Sequence, residues 1–358
     1  VMAGCYPQAF PEEAAGLEEA DVVVGNVGRA AMLEDIQKAL DSGERVVDIR
    51  AHEKGERFEE LPMENFEGHT RAFIKVQDGC DRRCAYCVIP RARGASRSRS
   101  EQSVLKELTA LAAAGYKEVV LSGINLPSYG KDTGTDLVSL IEAAARVEGI
   151  ERIRLGSLEP DLLSDEAIAR MAAVKELCPQ FHLSLQSGCT ATLRRMRRVY
   201  TAGEYARVVE KLRAAFGGFA SFTTDVIVGF PGETEDEFAE SLDFVCRQKF
   251  LKVHVFPYSR RAGTPAADFP DQLTEAQKAD RVHRLQTAAD EVRGALAREM
   301  LGTEDTVLLE KAVSGSLFTG YTRLYLPVAV KAPGAAAGQI VTARLTEWDG
   351  ERARAEAL

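Results

Sequence analysis

Residues 76–94 read VQDGCDRRCAYCVIPRARG and set Cys80, Cys84 and Cys87 in a C-x3-C-x2-C spacing. The loop follows directly on AFIKVQD (72–78), a short run of strand character. Outward from it, similar runs recur as EVVLSG (118–123), RIRLGS (152–157), HLSLQS (182–187), TTDVIVG (223–229) and KVHVFPY (252–258). Amphipathic helical stretches separate them at 102–113, 136–147, 164–175, 204–215, 234–248 and 274–300. Helix starts are signalled by Ser164 before an acidic turn, by a Thr274/Gln277 capping box, and by Pro231-Gly232 ahead of Glu233. Six strand–helix units in series predict an α/β fold with a parallel sheet, either open or curled into a partial barrel.

The cysteine spacing admits three readings: structural thiols in a loop, a zinc site, or an iron–sulfur cluster. Structural zinc takes four ligands, and no fourth Cys or His follows nearby. Iron–sulfur clusters are held by Cys thiolates, and three of them on a cubane leave one iron open for chemistry. The loop stands at the C-terminal end of its strand, where parallel βα folds place active sites. The other strand ends are polar or Gly-rich: Ser122-Gly123-Ile124-Asn125, Ser157-Leu158-Glu159-Pro160, Ser184-Leu185-Gln186-Ser187-Gly188, Val228-Gly229-Phe230-Pro231-Gly232 and Pro257-Tyr258-Ser259-Arg260-Arg261. Together they predict a ligand pocket facing the cysteines, with small residues such as Gly123 allowing close backbone approach. Glu159 and Gln186 are candidate polar contacts or plain loop caps. Asp225 lies within a strand, where a carboxylate needs a partner, so it is a ligand contact or a paired structural acid.

The chain has 358 residues, 45% of them apolar, enough for one large domain and one or two small ones. No apolar run approaches the roughly 18 residues of a membrane helix, and no signal-peptide pattern opens the sequence. Seven cysteines, three of them clustered, read as a cytoplasmic protein with a metal or redox site, not a disulfide framework. Cys178, Cys189 and Cys246 match no ligand spacing and are expected to be buried small residues. A net charge of −9 argues against non-specific coating of nucleic acid. Six arginines between 82 and 99 and four between 194 and 198 are either a local phosphate-binding rim or a solvated face.

Residues 1–65 hold a turn (VMAGCYPQ), a strand-like DVVVGN, a helical pattern from Ala30 to Leu40 and a charged connector, HEKGERFEELP; they resemble the end of an α/β domain. Residues 66–300 carry the βα repeat. Residues 301–358 change to short alternating runs, TVLLEKA, RLYLPVAV and QIVTARLTEW, with a flexible APGAAAG loop, which predicts a small β-barrel.

The cysteine loop resembles that of the radical S-adenosylmethionine (SAM) superfamily, whose open iron chelates SAM. Tyr86 holds the aromatic position of that motif. GCDRRCAYCVIPRARGASRSRS, GINLPSYGKD, RIRLGSLEP, FHLSLQSGC, TTDVIVGFPGETEDEF and VHVFPYSRRAGTPAA together resemble the methylthiotransferases, over nearly the whole chain. GINLPSYG, ARGASRSRS and SLQSGC are closest to the branch that modifies N6-threonylcarbamoyladenosine in tRNA. The C-terminal GYTRLYLPVAV resembles the RNA-binding TRAM barrel, and VMAGCYPQ the end of the family's N-terminal domain.

The resemblance implies a radical SAM partial (β/α)6 barrel, a remnant of the N-terminal methylthiotransferase domain and a TRAM-like barrel. It implies a 4Fe-4S cluster on Cys80, Cys84 and Cys87, and SAM held by Tyr86, Gly123, Glu159, Gln186, Ser187, Arg198 and Asp225. SAM would be cleaved to a 5′-deoxyadenosyl radical that activates the adenine C2–H bond. Cys5 matches the third ligand of a second, auxiliary 4Fe-4S cluster, whose other two cysteines are expected upstream of Val1. The family's RMNRRYT segment reads RMRRVYT here, a departure at Arg197 and Val199. Expected partners are a tRNA anticodon loop, contacted by Arg91, Arg93, Arg97 and Arg99, and an electron donor such as flavodoxin or ferredoxin. The protein is expected to be a monomer with no membrane association. The alternatives are methylthiolation of isopentenyladenosine tRNA or of a ribosomal protein side chain and, in another class, a non-catalytic iron–sulfur RNA-binding protein. No side chain is singled out as a catalytic acid or base.

Overall fold

The computed structural model describes residues 1–63 and 66–358, so the expected domain boundary at residue 65 lies outside the described residues. Six parallel strands follow one another in sequence order: β1 (Arg71–Lys75), β2 (Glu118–Ser122), β3 (Arg152–Leu155), β4 (Gln180–His182), β5 (Ser221–Val228) and β6 (Lys252–Pro257). β1–β2–β3 and β4–β5–β6 are continuous ladders, joined by the bridges Ile153–Leu177 and Leu158–Leu183. Sequential order with parallel pairing makes a curved arc, a half-barrel, and not a doubly wound sheet.

The helices α1 (Glu101–Ala113), α2 (Leu137–Ala144), α3 (Asp165–Ala172), α4 (Ala202–Ala215), α5 (Glu235–Gln248) and α6 (Glu275–Glu299) pack outside the arc. Each begins at a Ser, Thr or Asp whose side chain accepts a backbone N–H: Ser100, Asp136, Ser164, Thr201, Thr234 and Thr274. Such a cap is worth about 1 kcal/mol. The expected box at Thr274/Gln277 is present. At α5 the cap is Thr234 with Glu237, downstream of the Pro231-Gly232 signal. Side-chain alternation sends Ala72, Ile74, Val119, Leu121 and Ile153 into the core under the helices. Arg71, Glu118, Arg152, Arg154, Asp225 and His254 lie on the other face, so the inside of the arc is polar.

Two strands depart from expectation. β1 stops at Lys75, and Gln77–Asp78 instead pairs antiparallel with Arg97–Ser98. β4 ends at His182 rather than Ser187; beyond it only the isolated bridges Leu158–Leu183 and Gln186–Val226 continue, and Gln186 itself adopts φ 68, a left-handed turn.

The N-terminal segment pairs three short parallel strands, Met2–Ala3, Val22–Val24 and Val46–Asp48, with a helix at Met32–Ser42. The connector after it is irregular but anchored: His52 bonds Ala92 O, Arg97 faces Glu56 at 3.3 Å, and Ser103 donates to Glu60 at 2.6 Å.

Five strands close the C-terminal barrel: β7 (Glu304–Ser314), β8 (Leu317–Thr322), β9 (Pro327–Lys331), β10 (Ile340–Trp348) and β11 (Ala353–Ala357), in the order β7-β8-β9-β11-β10. RLYLPVAV is not one strand. Tyr325 sits at φ 65 and turns the chain between β8 and β9. The strands Leu317–Thr322 and Ala353–Ala357 had no sequence expectation.

The two barrels meet at a buried charge cluster. Glu118 is fully buried and accepts from Arg154 Nε at 2.8 Å and Arg152 at 3.2 Å, with Arg71 at 3.7 Å. Burial pulls its carboxyl upward, but the three guanidinium groups more than offset that and hold it below the usual range. The same arginines reach across: Arg152 donates to Thr306 O at 2.5 Å, Arg154 to Thr322 O at 2.7 Å, and Arg71 pairs with Glu310. Tyr321 and Tyr325 stack at 4.5 Å, with Arg71 over the first ring and Arg154 over the second at 4.9 Å each. Removing a buried partner strands charge and costs about 3–5 kcal/mol. Glu118→Ala is therefore expected to destabilise the protein by about that amount. Urea unfolding checks it; a loss under about 1 kcal/mol, the worth of an exposed pair, would mean that the cluster is solvated.

Candidate functional site

The two-residue ribbon of Gln77–Asp78 with Arg97–Ser98 closes the base of the cysteine loop, and Cys80 N–H donates to Gly94 O at 3.0 Å. Gly79 sits at φ 73, where a Cβ would fall 1.9 Å from Ala95 O, so the crossing needs glycine. The loop is seated by backbone bonds to distant elements. Ala85 N–H donates to Met196 O at 2.9 Å, and Ala85 O accepts from Ala266 N–H at 2.8 Å. Ala85, Met196, Phe230, Tyr258 and Ala266 form a small buried core there. Tyr86 packs edge-on to Phe230 at 6.4 Å.

Each thiol meets its own surroundings. Cys80 Sγ accepts from Arg82 N–H at 3.4 Å and from Asn125 Nδ2 at 3.9 Å. Cys84 is buried, and its Sγ accepts from Arg198 at 3.1 Å. Burial pushes the Cys87 thiol up to about 11 and raises Cys80 as well. Thiols so costly to ionise are poor free nucleophiles and gain by metal ligation, which holds them as thiolates. Among the described residues, no three His, Cys, Asp or Glu side chains converge on one point as ligands of a single ion would. A cubane makes no such demand, because each thiolate binds a different iron. The donor set therefore suits a 4Fe-4S cluster, with N–H groups of Arg82, Asn125 and Arg198 aimed at its sulfurs.

Arg198 ties the site together. It pairs with Glu159, donates to Cys84 Sγ, and donates Nε to Tyr200 Oη at 3.1 Å. Tyr200 in turn donates to the carbonyls of Ser184 and Leu185. Burial pushes the Glu159 carboxyl up, against the pull of Arg198 and Arg82. The ends of β1, β3 and β4 thus converge on one cross-link.

The other candidates scatter. Gly123 is needed by the fold itself: a Cβ there would meet Gln77 Oε1 at 2.8 Å, and that oxygen accepts Asn125 N–H. The backbone of Gln186 bonds that of Asp225 and Ile227 and carries β4 toward β5. Ser187 needs correction as a pocket contact: it is fully buried, and its hydroxyl accepts Cys189 N–H. Asp225 is one-third exposed inside the arc, 3.3 Å from His182. Cys5 opens a helix (Cys5–Ala9) that packs on the Ile89–Arg93 helix, and its Sγ accepts from Arg93 Nε at 3.1 Å. It therefore sits on the element that follows Cys87. Cys178 and Cys189 are buried as expected, whereas Cys246 is only partly so.

The arginine rim also needs correction. Arg97 and Arg99 are 4% exposed and spent on Asp78, Glu56 and Glu107. Arg82, Arg195 and Arg198 pair with Asp161, Glu237 and Glu159. Arg93 is committed to Cys5, and Arg91 stands exposed beside the Phe10 ring. Arg83, Arg194 and Arg197 are exposed, and among the described residues none of them meets a carboxylate. Asn125, Tyr200 and Phe230 were missed as site residues. Asn125 had a signal, standing at a strand end beside Gly123; Tyr200 and Phe230 act through packing that no spacing reveals.

Residues 74–245 match the family model described as the Radical SAM superfamily. The threonylcarbamoyladenosine tRNA methylthiotransferase MtaB of Bacillus subtilis is 39% identical over 96% of this chain and 77% of its own length. Its namesake in Thermotoga maritima is 37% identical, covering 91% of this chain and 74% of its own. The tRNA-2-methylthio-N(6)-dimethylallyladenosine synthase of Pelotomaculum thermopropionicum is 37% identical over 86% of this chain and 70% of its own.

A reduced cluster carries more negative charge, so the Arg198 hydrogen bond stabilises it. A charged hydrogen bond of about 1.5 kcal/mol corresponds to about 60 mV for one electron. Arg198→Met is expected to lower the reduction potential of the reconstituted cluster by about that amount, read by an EPR-monitored titration. An unchanged potential would make Arg198 a purely structural cross-link.

Proposed function

This chain belongs to the radical SAM methylthiotransferase family, and from that premise we propose that it adds a methylthio group at C2 of N6-threonylcarbamoyladenosine next to a tRNA anticodon. What supports the reading is the seating of three thiols at the C-terminal end of the half-barrel, cross-linked through Arg198 to Glu159, in a chain similar over 96% of its length to a relative of that name. Cys80, Cys84 and Cys87 would hold the cluster. With SAM bound, such a cluster would supply the reducing chemistry that opens SAM to radical attack on a C–H bond. The protein's own work is positioning. Tyr86 and Phe230 pack dry apolar surface under the loop, and Arg198 and Glu159 fix charge beside Cys84. Cys5, two packed helices away, is proposed as a ligand of a second cluster that takes part in sulfur transfer.

The substrate base lies in a single-stranded loop and can be splayed into the half-barrel. Phosphates would meet the exposed arginines, Arg83, Arg91, Arg194 and Arg197. Among the described residues no helix is long and apolar enough to cross a membrane.

Mass spectrometry of tRNA nucleosides tests the function. A strain lacking the gene should accumulate threonylcarbamoyladenosine without its methylthio form. The wild-type gene should restore the product, and Cys84→Ala should not. Loss of methylthio-isopentenyladenosine instead would favour the dimethylallyladenosine reading. For the rim, Arg83→Glu with Arg197→Glu should weaken tRNA binding and lower the log–log salt slope by about 0.7 per lost contact. An unchanged slope in a salt titration returns both to the solvated surface.

A further inference from the structure

Along β6, Lys252, His254 and Phe256 share one face, because strand side chains alternate. Lys252 and His254 line a cavity of about 350 Å³ inside the arc, together with His182, Arg71, Arg154 and Arg293. Phe256, one step nearer the cysteine loop, is 50% exposed, an unusual cost for a phenyl ring on an inner wall. Its register partner Ile227 belongs to the small core that seats Tyr86. An open aromatic face therefore lies beside the cysteine loop, with a basic chamber below it.

The charges in that chamber are not equivalent. Arg71 and Arg154 are committed to Glu118, and Asp225 faces His182. Arg293 donates to Glu351 O and lies over Trp348. Among the described residues, neither Lys252 nor Arg293 meets a carboxylate. A cation without a counter-ion on the wall of a cavity is an anion site in waiting.

We propose that Phe256 stacks on the target adenine and that Lys252, with Arg293 beside it, receives the carboxylate at the end of the base's N6 substituent. This deepens the function proposed above and rests on it. On the six-membered ring of adenine, C2 and C6 lie on different edges. A base that turns C2 toward the cysteine loop sends its N6 substituent away from the loop, down the wall. Phe256 and Lys252 are four residues apart, about 13 Å along a strand, with His254 midway. A threonylcarbamoyl group together with a lysine side chain spans that distance. An isopentenyl group would leave the cations facing hydrocarbon, which gives the chamber a basis for rejecting it.

The test uses the reconstituted holoenzyme and anticodon stem-loops bearing threonylcarbamoyladenosine, isopentenyladenosine or plain adenosine. Binding is read by fluorescence anisotropy, with iron content and circular dichroism confirming that each variant is folded and loaded. Wild type should prefer the threonylcarbamoyl loop. Lys252→Ala should bind that loop about tenfold more weakly and the plain loop as before, the loss of one charged hydrogen bond. Phe256→Ala should weaken all three loops alike, and Phe256→Trp should restore them. Retained preference in Lys252→Ala, or wild-type binding in Phe256→Ala, overturns the inference while leaving the reaction intact. Wild-type enzyme that methylthiolates only the isopentenyl loop overturns the proposed substrate and this inference together.

Discussion

Glu118 is one carboxylate facing three guanidinium groups with no exposure to water. Charge alone does not balance there. The surplus is met by Glu310, which pairs with Arg71, by carbonyls of the C-terminal barrel and by the stacked Tyr321 and Tyr325. The C-terminal barrel takes these arginines out of water, and its carbonyls and Glu310 replace the hydration that they lose. The joint fixes β1, β2 and β3 at their lower ends. Through the parallel ladder it fixes the register of their upper ends, where the cysteines, Asn125 and Glu159 emerge.

At the upper end the chain solves a different problem. A loop of 17 residues between Asp78 and Ser96 has no regular ladder of its own beyond its base. Its geometry comes from outside: Met196 and Ala266 hold Ala85, Arg198 holds Cys84, and Asn26 and His52 both bond Ala92 O. Loops carry function where a rigid scaffold positions them. Here the scaffold includes the N-terminal segment, which brings Cys5 onto the helix following Cys87.

The six βα units and the cysteine loop were legible because each rests on a local signal: period-two runs, capped helices, and three thiols at fixed spacing. What sequence could not give was the pairing of charges. Arg97 and Arg99 look like their neighbours Arg91 and Arg93 in the string, yet fold inward onto Asp78 and Glu107. RIRLGS announced an alternating strand, but nothing in it said that Arg152 and Arg154 would share one buried glutamate. Gly123 directly follows its strand as expected, whereas Ser187 lies five residues past the end of β4, and both serve the local turn, through Gln77 and Cys189. RLYLPVAV kept an apolar pattern across a left-handed Tyr325 that ends one strand before the next begins. The cysteine ligands were readable as a set; the residues that orient them were not, because orientation is a tertiary property.

Helix α6 has 25 residues, about 37 Å of rod, and packs against β6. A parallel sheet that does not close leaves two bare edges, and an unpaired edge is a template for another chain. One edge, β1, is short and carries Arg71 and Lys75, which discourage an incoming strand. The other depends on α6 for cover. During synthesis, β6 leaves the ribosome before the helix that shields it, and the C-terminal barrel emerges after both. The nascent half-barrel is therefore sticky for the time taken to make about fifty residues more, at roughly 5–20 residues per second. Truncations within α6 should fail through aggregation rather than through loss of the cysteine site.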